Sequence, residues 1–418
     1  MVYVIDIQGK PLMPTTRHGK VRRMLKISLA HVVCRIPFTI QLDYDTTDFI
    51  QPVILGIDAG SKHIGVSATT EEKELYAADV EIRNDIVDKL ATRRQFRRIR
   101  RSRLRYRKAR FDNRTHSKHK GWLAPSIENK IQTHLRVVEK VREILPINKI
   151  VVETASFDIQ KIKNPDIKGE KYQYGEQLGF WNVREYVLWR DGHICQYCHG
   201  KSKDPVLNVH HIESRKTGGD APNNLITLCE TCHKAYHRGK IQLRIKRERS
   251  FRDAAFMSIM RWTLYNRLKQ LFLKVSMTYG YITKHDRIAN SLPKEHYVDA
   301  RCVSGSPMAK PLGYYFYERK VRCQNRQIHK SNFLKGGRKK LNQAPYIVKG
   351  YRLFDMVKYH SGLYYVFGRR SNGYFDIRKL NGTKVNNGSV SCKQLRLMGT
   401  RKTILIERRN NGSIPPID

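Results

Sequence analysis

The chain has 418 residues, in which 80 lysines and arginines face 37 aspartates and glutamates for a net charge of +43. That length can bury a real core in roughly two to four domains, and a field of that sign attracts polyanions, so nucleic acid is the expected partner. No run approaches twenty uncharged apolar residues, and the first residues lack a signal-peptide pattern, so neither a membrane span nor secretion is expected and the cytoplasm is. Four of the eight cysteines, Cys34, Cys302, Cys323 and Cys392, are scattered singly, which fits a reducing compartment.

In chain order, residues 1–50 read as a small separate unit. V-Y-V-I-D suggests a strand, the two prolines of G-K-P-L-M-P hold an extended turn, a short basic helix follows at 20–28, and strands follow at 31–36 and 38–42. Residues 51–84 read as a meander of three strands, V-I-L-G-I-D-A-G-S, H-I-G-V-S-A-T-T and E-L-Y-A-A-D-V-E-I. The first ends on Asp58 beside a glycine, which is how an RNase H-like fold presents its first catalytic carboxylate, although carboxylates beside turn glycines are also common in structural roles.

Residues 85–115 hold an arginine-rich helix. Between 93 and 110 eleven of eighteen residues are basic, namely Arg93, Arg94, Arg97, Arg98, Arg100, Arg101, Arg103, Arg105, Arg107, Lys108 and Arg110. Arginine surrounds the axis, so the helix repels itself unless phosphate lies on more than one side, and the guanidinium fork suits phosphate. A solvated helix or a disordered basic arm is the competing reading. In 116–160 an amphipathic helix over 126–145 leads to the strand K-I-V-V-E, which ends on Glu153 as the earlier strand ends on Asp58. Residues 161–189 are a linker closing in a short helix at 181–189.

The segment 190–240 carries the densest chemistry. Cys195 and Cys198 form one C-x-x-C pair, Cys229 and Cys232 another, and four thiolates so spaced suit a structural zinc. His210, His233 and His237 can hold a second, catalytic divalent ion that polarises a phosphate, the last two sharing a helix face. His211 points away from His210 on a short strand and is placed as general base, with Asn224 orienting it through its side-chain oxygen. This set resembles the HNH, or ββα-metal, nucleases; the competing reading is a plain zinc ribbon with incidental histidines.

After a linker at 241–253, residues 254–308 give a helix over 254–273, a strand over 275–281, and P-K-E-H-Y-V-D-A-R-C, with His296 and Asp299 on one helix face. Asp58, Glu153 and Asp299, delivered from separate segments, could clamp two magnesium ions for attack on a phosphodiester. The HNH-like module lies between the second and third of them. Residues 309–418 are rich in tyrosine, glycine and basic residues, including K-G-G-R-K-K. Strand-like runs at 346–355, 364–370 and 374–380 suggest a small β-barrel.

Taken together, P-L-M-P, a split RuvC-like nuclease at Asp58, Glu153, His296 and Asp299, an arginine-rich bridge helix and an inserted HNH module resemble IscB. That is the transposon-encoded, RNA-guided DNA endonuclease family thought ancestral to the type II CRISPR effectors. The resemblance implies an α/β chain with a split RNase H-like (RuvC) core, the inserted ββα-metal domain, the bridge helix and a C-terminal β-rich domain. It further implies one protein copy with a structured omega RNA and a double-stranded DNA target, in a prokaryotic cytoplasm at the nucleoid, with magnesium catalytic and zinc structural. The HNH site, with His211 as base, would cut the guide-paired strand and the RuvC-like site the displaced strand. The C-terminal barrel would read a short flanking motif; Arg369, Arg370 and Lys379 lie in a hairpin there. A-G follows Asp58 where many relatives have P-G. A protein-only homing or junction-type nuclease and a nuclease-idle RNA-binding scaffold are the other two readings.

Overall fold

The computed structural model describes residues 1–47, 49–104, 121–154, 177, 179–213, 220–243, 252–323, 329–331, 339–341 and 345–411. It divides into two units, Met1–Ala155 with Met257–Asp418, and Ser156–Phe256.

The first unit opens with β1 (Tyr3–Ile5), α1 (His18–Lys26), β2 (Ala30–Arg35) and β3 (Phe38–Leu42), the strands ordered β1-β3-β2. The P-L-M-P turn doubles the chain back on β1, where the Leu12 amide meets the Val4 carbonyl at 2.9 Å. Val21 and Met24 of α1 close over Val2, Val4, Leu12, Ile40 and Leu42. The meander follows as β4 (Val53–Ala59), β5 (His63–Thr69) and β6 (Glu74–Glu81). Val66 and Ser67 of β5 and Ala77 and Ala78 of β6 are consecutive and all buried, so these strands are covered on both faces.

α2 (Ile86–Leu104) starts seven residues before 93, because I-V-D-K-L-A-T continues the helix upstream of the arginines. α3 (Pro125–Arg142) takes its proline at the first turn, where a missing N–H costs nothing, and buries Ile131, Leu135, Val138 and Val141 as its periodicity predicts. β7 (Ile147–Glu153) then pairs in parallel with β4. The expected linker at 161–189 lies outside the described residues up to 176.

The second unit holds α4 (Val183–Arg190), β8 (Leu207–His211), β9 (Leu225–Cys229) and α5 (Glu230–His237), with β8 and β9 antiparallel. Asn182 caps α4 by accepting from the Glu185 amide at 3.0 Å. Arg190 donates to the Pro222 and Leu225 carbonyls, both at 2.9 Å, and so ties α4 to the start of β9.

The chain re-enters the first unit through α6 (Arg252–Leu271), β10 (Val275–Thr278), α7 (Gly280–Ala289) and α8 (His296–Val303). The strand expected over 275–281 stops at Thr278. Tyr281 and Ile282 read as strand by propensity, but they occupy the first turn of α7, which tertiary packing forms. Next come β11 (Tyr314–Lys320), β12 (His329–Ser331), β13 (Lys339–Leu341), β14 (Met356–Tyr359), β15 (Gly362–Arg369), β16 (Tyr374–Arg378), β17 (Val390–Ser391), β18 (Arg396–Gly399) and β19 (Ile404–Asn410).

One seven-stranded sheet, ordered β10-β7-β4-β5-β6-β11-β19, is the core of this unit. It overrides the boundary expected at 309: β11 pairs with β6 and β19 with β11, so both extend the central sheet. The Tyr76 hydroxyl (2.6 Å) and the Lys140 ammonium both donate to the buried Glu318 carboxylate, joining β6, α3 and β11. The remaining C-terminal strands form an open five-stranded sheet, β17-β16-β15-β14-β18, in place of the expected barrel; its two edge strands do not pair with each other among the described residues. The run 346–355 is a turn and not a strand, because buried Asp355 accepts from the Arg352 amide at 2.7 Å and the Arg401 amide at 2.8 Å and pins the loop. Among the described residues no helix is long and apolar enough to cross a membrane.

Candidate nuclease sites

The central sheet brings the first candidate site together. β4 and β7 run parallel in a register that sets Asp58 beside Glu153, and β10 places Thr278 on the other side of Glu153. α8 lies directly on β4 and β5. Two glycines make that approach possible: a Cβ on Gly56 would come 2.0 Å from the Ala300 carbonyl oxygen, and one on Gly65 would come 1.9 Å from that of His296. The helix thereby delivers His296 and Asp299 to Asp58.

His296 donates from Nδ1 to Asp58 Oδ2 at 2.8 Å, and that bond raises the imidazole above its ordinary value. Burial, then the Asp58 charge, pushes Glu153 up to about 7. Asp299 is raised by burial and by Asp58, with Arg287 opposing from 2.9 Å. Carboxylate oxygens brought to one side of the sheet are the donor type that a hard divalent cation takes. The structure places Asp58, Glu153, His296 and Asp299 around the ends of β4 and β7.

It missed three neighbours. The His63 ring stacks on His296 with centroids 5.2 Å apart and planes 4° apart, and His63 Nδ1 bonds Asp79 at 2.9 Å. The signal lay in strand alternation, since His63 and Gly65 share a face of β5 and Gly65 pairs with Asp58. Arg287 comes from α7, an element the sequence did not announce.

The second site is built on β8, β9 and α5. The rings of His210, His233 and His237 have centroids 4.5 to 5.3 Å apart, and ligand nitrogens within 4.8 Å of one another. Burial, then the charges of His233 and His237, lowers His210 to about 4, and burial lowers His233, so neutral ligand-ready imidazoles prevail near neutrality. His210 Nε2 is buried without a hydrogen-bond partner, the environment a metal ligand would have.

His211 closes β8, and its Nε2 meets Asp220 Oδ1 at 2.9 Å. Asn224, expected to orient His211, grips Glu213 instead: its Oδ1 accepts from the Glu213 amide at 2.9 Å and its Nδ2 donates to the Glu213 carbonyl at 3.1 Å. A fully buried amide satisfies itself on backbone, so Asn224 shapes the loop after β8 while Asp220 holds the imidazole.

The four sulfur atoms of Cys195, Cys198, Cys229 and Cys232 also lie within 4.8 Å of one another. A Ser202 hydrogen bond draws Cys198 down to about 6 while burial raises Cys232, a desolvation cost that a divalent cation would offset. Four sulfurs so gathered fit zinc. Asp204 braces the start of α5 by accepting from the Thr231 amide at 2.7 Å.

Arg93, Arg94, Arg97, Arg98, Arg100, Arg101 and Arg103 lie on α2, with Arg93 and Arg94 exposed, whereas Arg105, Arg107 and Arg110 fall outside the described residues. In the β15–β16 hairpin Arg369 donates to the Tyr346 carbonyl, and Arg370 reaches Ser389 Oγ at 3.0 Å. Both make hydrogen bonds within their own fold; Arg369 is half-buried, whereas Arg370 and Lys379 are exposed.

Residues 2–175 match the RRXRR protein family and residues 195–239 the HNH endonuclease family. The type IV methyl-directed restriction enzyme EcoKMcrA of Escherichia coli is 33% identical over 66 residues, covering 14% of this chain and 24% of that enzyme. Anaredoxin of Nostoc sp. is 42% identical over 41 residues, covering 10% of this chain and 54% of that protein. The chain thus spans only part of either relative. Among solved structures, Streptococcus thermophilus Cas9 in complex with the AGAA PAM aligns at a TM-score of 0.34 and 14% identity, over 50% of this chain and 30% of that one. The HNH match over residues 195–239 supports a hydrolytic DNA endonuclease, and the RRXRR match covers the N-terminal region beside it.

Proposed function

We propose that the chain is an RNA-guided DNA endonuclease of the IscB kind, with two hydrolytic sites of separate construction. The observation that carries this reading is the nesting: an HNH domain interrupts a sheet whose two halves must come together before Asp58, Glu153 and Asp299 can meet. A net charge of +43 and an arginine helix inside the RRXRR match support a large structured RNA as the polyanion it holds. Sequence choice then belongs to base pairing with that RNA.

In the HNH site His211 is the general base. With Nε2–H donated to Asp220, its Nδ1 carries the lone pair that takes a proton from the attacking water. In the sheet site His296 is held by Asp58 and positioned to move a proton at Nε2. His210, His233 and His237, and separately Asp58, Glu153 and Asp299, would hold divalent ions that polarise the phosphate and stabilise the leaving oxygen. Cys195, Cys198, Cys229 and Cys232 would hold zinc as a staple. By the IscB resemblance the HNH site cuts the guide-paired strand and the sheet site the displaced one.

The test is to purify the chain, sequence any co-purifying RNA, and present duplex DNA matching its variable end. One abundant structured RNA and cleavage only of matching DNA are expected. RNA-free protein cutting a fixed site would establish instead the protein-only nuclease toward which the restriction-enzyme likeness points.

A further inference from the structure

Beside Glu153 the edge of the central sheet carries an aromatic surface that hydrolysis does not use. β10 is an edge strand, its Thr278 is the register neighbour of Glu153, and the next residues are Tyr279, Gly280 and Tyr281. The two tyrosine rings are 42% and 72% exposed and nearly parallel, with centroids 6.0 Å apart and planes 12° apart. Gly280 between them lies against the carboxylate: a Cβ there would stand 2.8 Å from Glu153 Oε1. The two rings therefore flank a backbone position in contact with the candidate catalytic acid.

α6 adds to the same surface. Trp262 is 52% exposed, and the Arg261 guanidinium carbon lies 4.8 Å from the Trp262 ring and 6.0 Å from the Tyr279 ring. Among the described residues no carboxylate pairs with Arg261, so its charge is offered to whatever covers the rings. Exposed π-faces beside an uncompensated guanidinium match the two halves of a nucleotide, base and phosphate. Paired bases keep their faces inside a duplex; only unpaired nucleotides can use such a surface.

We propose that Tyr279, Tyr281, Trp262 and Arg261 form a stacking platform for unpaired nucleotides of a DNA strand. It holds the adjoining phosphodiester beside Asp58, Glu153 and Asp299. The platform rests on the reading of the central sheet as a nuclease site, and it explains why that site would act on a displaced strand rather than on duplex. Stacking costs no specificity because every base has a π-face, which suits an enzyme whose target is set by its RNA.

The experiment uses the protein with its co-purified RNA, a matching duplex with the strands labelled separately, and 2-aminopurine in the displaced strand near the cut. The Tyr279→Leu/Tyr281→Leu double variant should melt as the parent does, lose the fluorescence quench and cut the displaced strand roughly tenfold more slowly. Its guide-paired cut should be unchanged, and Tyr279→Phe/Tyr281→Phe should restore quench and rate. Parental quench and rate in the leucine variant would overturn the proposal, as would equal slowing of both strands with loss of bound RNA, which would assign the platform to RNA. If Asp58→Ala leaves the displaced-strand cut intact, the nuclease reading fails, while the quench still reports for or against the platform.

Discussion

At the scale of single residues the two candidate sites are built from separate side chains. His211, the proposed base, has its Nε2 committed to Asp220, so its ring can be removed without touching the cysteine cluster. His211→Ala should slow the guide-paired cut by roughly 10²–10⁴-fold and leave the displaced-strand cut, giving a nick on strand-resolved gels. His63 acts on the other site through its stack on His296. His63→Ala should slow the displaced-strand cut and His63→Phe, which keeps the stack, should recover most of it; equal rates in all three proteins would remove His63 from the account. The fully buried His134, whose Nδ1 bonds the Lys130 carbonyl at 2.8 Å, is lowered from 6.5 to about 4 by burial. Between those values the unfolded chain binds a proton that the fold refuses, so its contribution of about 3 kcal/mol is present above pH 6.5 and lost as pH falls toward 4. Melting followed from pH 7 to 4.5 should steepen in the parent and flatten in His134→Gln.

The candidate residues defined by local spacing were legible from the chain alone: the two C-x-x-C pairs, H-x-x-x-H, and Asp58 and Glu153 at strand ends. His63, Asp220 and Arg287 were not, since each is defined by a partner that tertiary structure delivers. Asn224 was found and given the wrong duty, because spacing cannot say which of two nearby groups an amide will satisfy.

At the scale of elements, the position of α8 is set by what the sheet lacks. Gly56 and Gly65 leave the gap that lets His296 and Asp299 reach Asp58. Gly65→Ala forces helix from sheet, at a cost of about 1–3 kcal/mol, and should abolish the displaced-strand cut while the guide-paired cut continues. An unchanged displaced-strand rate would mean the helix does not position the site. In the HNH domain Cys195, Cys229 and Cys232 pack with Ile226 and Leu228, so the staple and the small core are one object. Cys229→Ser should purify with little zinc and lose the guide-paired cut alone; full zinc content would contradict the structural assignment. Elements with strong periodicity, such as α3 and the β4–β6 meander, were readable. α7 was not, because its tyrosine and β-branched start has strand propensity, and the final strands were not, because β11 and β19 return across the chain to extend a sheet begun at Val53.

At the scale of the whole molecule, the chain is a sheet-based unit interrupted by an HNH-bearing one, and it carries an excess of 43 positive charges. Such a charge repels itself unless phosphate neutralises it, so the protein without RNA should be less stable to melting and its RNA should leave only at high salt. The most direct measurement is strand-resolved cleavage, by the RNA-bound protein, of a duplex matching that RNA, comparing the parent, Asp58→Ala, His211→Ala and the double variant. Two independent RNA-directed sites predict a double-strand break, two opposite nicks and no cut, in that order. Loss of both cuts in either single variant, or cleavage unaffected by the match between RNA and target, would contradict it.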